Sequence, residues 1–162
     1  MVDILSDQEI ELLIREHKPL PDDYLAKIQV RPKRGHRERE LDLKGDDGDD
    51  FRIILRQSTI NPLDFSVILA FRPPQSNVLF RLVRYNGKSH EHTNTIEKIS
   101  FYDYHRHKAT ERYQQIGARE DTYAEATGRF ANIQQAVSCL INDCGFEIPS
   151  GTQRSLFEET GI

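Results

Sequence analysis

The sequence predicts an α+β domain: an antiparallel β-meander packed against a long C-terminal helix, with a short N-terminal helix in front. Three observations predict it. A capped amphipathic segment lies near the start, short apolar segments separated by turn residues fill the middle, and one apolar band at helical spacing runs from Asp121 to Cys144. No βαβ rhythm calls for a parallel sheet.

The first helix spans about Ser6 to His17. Ser6 and Glu9 have the spacing of a capping box, in which hydroxyl and carboxylate each satisfy the other residue's amide. Ile10, Leu13, Ile14 and His17 then share one face, and Pro19 and Pro21 end the helix. Strands are expected at Leu25–Val30, Arg37–Leu43, Arg52–Gln57, Asp64–Phe71 and Asn77–Tyr85, with another beginning near His90. The turn between the second and third is Gly45 to Asp50, and Asn86-Gly87 is a further turn pair. The last helix, Asp121 to Cys144, presents Tyr123, Thr127, Phe130, Ile133, Val137, Leu140, Ile141 and Cys144. Gly145 and Phe146 read as a Schellman stop, with Pro149 beyond. Gly128 inside this helix costs about 1 kcal/mol relative to Ala, which close approach of helix to sheet would explain. Residues 1–150 read as one domain and 151–162 as a tail, in which Leu156 and Phe157 are candidates for docking.

With 162 residues the chain is the size of one domain. Apolar residues make up 37% and charged residues 30%, so the core is thin: one sheet face covered by one or two helices. A net charge of −4 argues against coating nucleic acid through bulk electrostatics, although a local basic face remains compatible with it. Cys139 and Cys144, the two cysteines, sit on one predicted helix and read as core thiols, which fits a reducing, cytoplasmic setting. The N-terminus lacks a signal-peptide pattern, and no apolar stretch approaches the roughly 20 residues needed to span a bilayer. A soluble protein with no membrane contact is expected.

Chemistry-bearing residues concentrate between Arg81 and Arg112. His90, His92, His105 and His107 form two His-x-His pairs, and on a strand such a pair points both rings to one face. Arg81, Arg84, Arg106, Lys108 and Arg112 offer phosphate contacts, and Tyr102 offers a stacking surface. Imidazoles titrating near neutrality can serve as general base and general acid. Together these residue types are what a metal-independent ribonuclease without cofactors needs, since the RNA 2′-hydroxyl supplies the nucleophile. The plainer reading is a polar, solvent-facing side of a sheet. A third reading has the two pairs, with Asp103 or Glu111, holding zinc or manganese, though no helical His-Glu-x-x-His pattern or cysteine ligand set accompanies them.

Elsewhere the segment Arg31 to Arg39 is the most basic of the chain. It reads either as a loop gripping phosphates or as a solvated hairpin tip neutralised by the acidic turn at Asp46 to Asp50. That acidic run lacks the spacing of a calcium loop. There is no phosphate-binding glycine loop and no Gly-x-Ser-x-Gly elbow.

The segment Phe80-Arg81-Leu82-Val83-Arg84-Tyr85-Asn86-Gly87-Lys88-Ser89-His90-Glu91-His92, followed by Phe101 to His107, resembles the TumE-like family of small prokaryotic toxin–antitoxin proteins. It is similar also to a broader group of prokaryotic proteins with the same layout. The resemblance implies a toxin acting on RNA and neutralised by an antitoxin encoded beside it. It carries over to Arg84, His90, His92, His105 and His107; where the family's turn has aspartate-asparagine, this chain has Tyr85-Asn86. The leading expectation is therefore a toxin-like ribonuclease with His105 and His107 as acid and base, His90 or His92 assisting, and Arg84, Arg106 and Arg112 binding phosphate. A non-enzymatic interaction module and a metal-dependent enzyme are the alternatives.

Overall fold

Alternating side chains organise the molecule around a single sheet, with a broad apolar core on one face and on the other a largely polar surface that includes a small buried cluster of Ile54, Ile68 and Ala70. The computed structural model describes residues 4–33 and 35–149. Its centre is a seven-stranded antiparallel sheet built from β2 (Arg31–Lys33), β3 (His36–Lys44), β4 (Asp50–Ser58), β5 (Phe65–Arg72), β6 (Phe80–Asn86), β9 (His105–Lys108) and β10 (Ala124–Ala126). The spatial order is β10-β9-β6-β5-β4-β3-β2. A separate hairpin, β7 (His92–Asn94) and β8 (Ile99–Phe101), is inserted between β6 and β9. Short strands β1 (Lys18–Pro19) and β11 (Phe146–Glu147) pair in parallel. Among the described residues four short helices complete the fold: α1 (Asp7–Arg15), α2 (Tyr24–Lys27), α3 (Glu111–Gln115) and α4 (Ile133–Asp143).

The protein is thus mostly β, which corrects the expected α+β arrangement with a long C-terminal helix. The longest helix, α4, has 11 residues. The expected 121–144 helix breaks up because its first part is used as a strand: Ala124 to Ala126 pair with His107 to His105 of β9. The helix starts only after Asn132, whose side chain accepts from the Gln135 amide at 2.8 Å. Gly128 therefore lies outside the helix, with open space where a Cβ would stand. The expected strand at Leu25–Val30 is replaced by the single turn α2, entered when the Tyr24 amide bonds the Pro21 carbonyl. The predicted tail, 151–162, with Leu156 and Phe157, lies outside the described residues.

The capping box at the start of α1 is present: Ser6 Oγ accepts from Glu9 N and Glu9 Oε1 from Ser6 N, each at 3.0 Å. Its Ile10 and Ile14 join Ala136, Val137 and Leu140 of α4 over the inner face of the sheet. That face is lined by Phe51, Ile53, Leu55, Val67, Leu69, Val83 and Tyr85. Burying each such side chain contributes about 1.5–3 kcal/mol, and this core is the main source of stability, with the smaller cluster of Ile54, Ile68 and Ala70 on the opposite face. Lys18 closes the far end of the molecule. Its buried ammonium donates to the carbonyls of Leu13, Ile14, Glu16 and Cys144 at 2.8–2.9 Å, satisfying the C-terminal groups of α1 and α4 together. Gly145, at φ +74°, makes that junction possible, because a Cβ there would stand 2.6 Å from the Glu16 carbonyl oxygen.

The outer face is polar at one end and different at the other. Along β3 and β4 run ion pairs, among them Arg52–Asp42 at 2.6 Å and Arg56–Glu38 at 2.9 Å. These are exposed and worth about 0–1 kcal/mol each. The acidic turn does not neutralise the basic segment. The two lie at opposite ends of β3, roughly 25 Å apart by strand rise, and Asp46 pairs with His17 instead. Arg34 lies outside the described residues. Among those residues, no helix is long and apolar enough to cross a membrane.

Candidate metal centre

Strand alternation builds the site at the β6–β9–β10 end of the outer face. In β9 the sequence His105-Arg106-His107-Lys108 sends both histidines outward and Arg106 and Lys108 to the other side. Pairing with β6 sets His105 opposite Asn86 and His107 opposite Arg84. The β7–β8 hairpin then folds over this end and adds His92 and Phe101. The three imidazoles meet there, with ring centroids 5.4 Å apart for His92–His105 and 4.8 Å for both His92–His107 and His105–His107.

The hairpin is pinned at two points. Asn94 behaves as an extra rung on the outer edge of β10: its Nδ2 donates to Ala124 O at 2.7 Å and its Oδ1 accepts from Ala124 N at 2.9 Å. Glu97, between the two strands, accepts from Tyr113 Oη at 2.6 Å and from Arg112 Nε at 2.7 Å, tying the hairpin to α3. His105 and His107 are left 1% and 4% exposed beneath it.

Burial governs the charge of these rings. It lowers the His105 pKa to about 4, against a weaker opposing effect of the Asp103 carbonyl. It lowers His107 to about 2, helped by the nearby Arg84 charge. Both are neutral imidazoles at physiological pH. The hydrogen bonds also fix which nitrogen carries the lone pair. His105 Nδ1 faces the Asp103 carbonyl at 2.8 Å and must donate, so its Nε2 holds the lone pair. That Nε2 is buried and without a hydrogen-bond partner, and so is Nδ1 of His107. His92 Nε2 meets Asn94 Oδ1 at 2.7 Å. The amide orientation is set by the two Ala124 bonds, so His92 Nε2 donates there, which leaves Nδ1 as the ring nitrogen able to act as a ligand.

One ring nitrogen from each of His92, His105 and His107 lies within 4.8 Å of the other two. All three therefore lie within about 2.8 Å of a common point, and inward shifts of roughly 0.7 Å give the 2.0–2.1 Å typical of zinc–nitrogen bonds. A ring whose second N–H is engaged by a protein oxygen, as in His105 and His92, is what metal-ligating histidines show. Buried nitrogens with no partner are costly unless something binds them.

Beside the triad opens a cleft of about 270 Å³. Arg84, Asn86, His90 and Arg119 are on its walls, as are Asp64 and Asp121. Asp121 is fully buried. Its Oδ2 accepts from Arg84 Nε at 3.0 Å, while Oδ1 has no partner.

Of the residues singled out from sequence, His92, His105 and His107 converge, His90 lies exposed on the loop at the cleft, and Arg84 reaches the cleft wall from β6. Arg81 also lies on β6, close enough for its charge to act on Arg84. The others go elsewhere. Arg106 stacks on the Tyr85 ring at 5.5 Å on the inner side of the sheet, and Lys108 pairs with Glu11 at 2.6 Å. Arg112 holds Glu97, and Tyr102 is exposed beside Lys88. Neither Asp103 nor Glu111 joins the ligand cluster. Asn86, Asn94, Arg119 and Asp121 were not expected at the site. Alternation within β9 was the available signal for separating Arg106 and Lys108 from the histidines. The four additional residues carry no such local signal.

A family model described as a family of unknown function (DUF6978) matches residues 5–145, a span that includes the whole seven-stranded sheet and the hairpin over it. No curated protein and no solved structure matches the chain.

Proposed function

The chain belongs to the DUF6978 family, whose function is unknown, and we propose that it is a metal-dependent protein holding one divalent transition-metal ion on His92, His105 and His107. The carrying observation is the convergence of one ring nitrogen each from His92, His105 and His107 to within 4.8 Å of one another, at a place where His105 and His107 each also bury a ring nitrogen without a hydrogen-bond partner. Imidazole ligands suit zinc, copper, nickel and iron, and zinc is the first candidate because three protein ligands plus one open position is its catalytic pattern. His92 and His107 are themselves among the residues that line the cleft. A zinc ion held by these residues would supply water activation at neutral pH, so hydrolysis is the reaction class the site favours.

Protein purified without added metal and then dialysed against zinc should retain one zinc per chain by elemental analysis. Single alanine variants of His92, His105 and His107 should retain much less. Stoichiometry unchanged in all three variants would overturn the reading.

A second reading keeps the ribonuclease and the TumE-like resemblance without a metal, and with it the partners the resemblance implies, RNA and a neighbouring antitoxin. It needs a histidine that an RNA substrate can reach. His90, exposed at the cleft beside Ser89 and with its ring 6.5 Å from that of His105, is the residue that favours it. RNA cleavage that persists in a chelator and is lost in His90→Ala would support this reading over the first. Two free, buried thiols fit a cytoplasmic setting for either.

A further inference from the structure

The metal reading leaves a charge to be accounted for. Three neutral imidazoles contribute nothing to balance a divalent ion. The charges on the cleft walls sum to zero, two arginines (Arg84, Arg119) against two aspartates (Asp64, Asp121): Arg84 is paired with Asp121, and Asp64 accepts from Ser89 Oγ at 3.4 Å. A dication in a half-enclosed site therefore lacks compensation, and the component that supplies it is an anion. The donors that remain identify the kind of anion. Only Nε of the Arg84 guanidinium is committed to Asp121, and Arg81 and Arg119 add positive charge around it. Asn86, 6% exposed, has its Oδ1 occupied by Ser66 Oγ at 2.9 Å, which leaves its Nδ2 as a donor on the same wall. Arg119 is exposed at the rim and makes no ion pair among the described residues.

We propose, resting on the metal reading, that this cleft is an oxyanion subsite that takes the phosphate group of a phosphate ester, with one oxygen on the metal, others on Arg84 and the Asn86 amide, and Arg119 at the mouth. A carboxylate presents two oxygens in one plane, whereas donors here come from the metal, from β6 and from the loop bearing Arg119. A tetrahedral group meets all three. The cleft also exceeds the volume of a phosphate, so the esterified portion has room beside it.

The test uses zinc-loaded, desalted full-length protein and calorimetric titration with inorganic phosphate, with acetate as the comparison. Phosphate should bind at least about tenfold more tightly than acetate, and not at all after zinc is removed, as expected when a charge-assisted contact set is lost. Arg119→Ala should weaken phosphate about tenfold and leave the zinc content unchanged. Arg84→Lys keeps the charge beside buried Asp121 but loses the fork, and should weaken phosphate at least as much. Full zinc occupancy with no phosphate binding, with acetate binding equally well, or with Arg119→Ala without effect overturns the subsite alone. Failure to bind zinc at the first step overturns the metal reading and the subsite with it.

Discussion

His105 and His107 show how one residue type takes its chemistry from its surroundings. The His-x-His spacing was legible in the sequence and predicted a shared face, which the β9 register shows. The neutral state was not legible, because it depends on the hairpin that covers the rings. It matters for the mechanism: imidazoles titrating at about 4 and about 2 are poor sources of a proton at neutral pH and good sources of a lone pair. Their lowered pKa values also give a signed prediction for the metal-free protein. Below the ordinary value near 6.5, the unfolded chain takes up protons that the folded rings refuse. Their contribution to stability is thus complete above about pH 6.5 and is lost as pH falls towards 4. Glu16 works in the opposite sense. Its carboxyl is raised to about 7, first by burial and then by Asp49, so its contribution is present below 4.5 and lost as pH rises through 7. Comparing wild type with a His105→Gln/His107→Gln variant cancels the Glu16 effect. Urea unfolding in chelator between about pH 7 and pH 4.5 should show wild type losing stability more steeply. Equal slopes would contradict the neutral burial of the pair.

Among elements, the β7–β8 hairpin decides whether there is a site at all. It supplies His92, covers His105 and His107, and is held by Asn94 and Glu97. Neither anchor stood out in the sequence, since each acts across more than ten residues. Glu97→Ala removes the hydrogen bonds to Tyr113 and Arg112, charge-assisted contacts worth about 1.5–3 kcal/mol each where buried and less at this half-exposed position. Backbone amides of 92–101 should exchange faster, while those of β4 and β5 should not change. Zinc affinity should fall about 10–100-fold, as when a metal ligand loses its outer support. Unchanged exchange in the hairpin would show that it is held by other contacts. The expected C-terminal helix failed at this scale too. Tyr123, Thr127 and Phe130 fit a helical stripe by spacing, yet Phe130 reaches the core from a loop, edge-on to Phe65, Tyr85 and Tyr104. Spacing alone cannot separate one helix from strand, loop and short helix that all face the same core. By contrast, the Ser6 capping box depends on neighbours in sequence and was readable, whereas Asn86-Gly87 does not form the expected turn: Asn86 pairs with His105 and the Gly87 amide still bonds the Phe65 carbonyl of β5.

For the whole molecule, the key event is that β9 returns to β6 after the hairpin excursion, so that the sheet is extended and its outer face is capped in one step. The apolar patterning from Arg37 to Tyr85 made the antiparallel strands legible. The return of β9 leaves no trace in periodicity, and with it the site, the cleft and the edge strand β10 were hidden. Metal binding should couple to the stability of the entire fold, because the ligands converge only when sheet and hairpin are both formed. A ligand that binds the native state alone stabilises it by about 4 kcal/mol at a thousandfold excess over its Kd, or roughly 8–16 °C in Tm for a chain of this size. The most direct measurement is therefore thermal unfolding of the wild-type protein and of His92→Ala/His105→Ala/His107→Ala, each in chelator and with excess zinc. Zinc should raise the wild-type Tm by that amount and leave the variant's unchanged. An unshifted wild-type Tm, or an equal shift in the variant, would contradict the metal site.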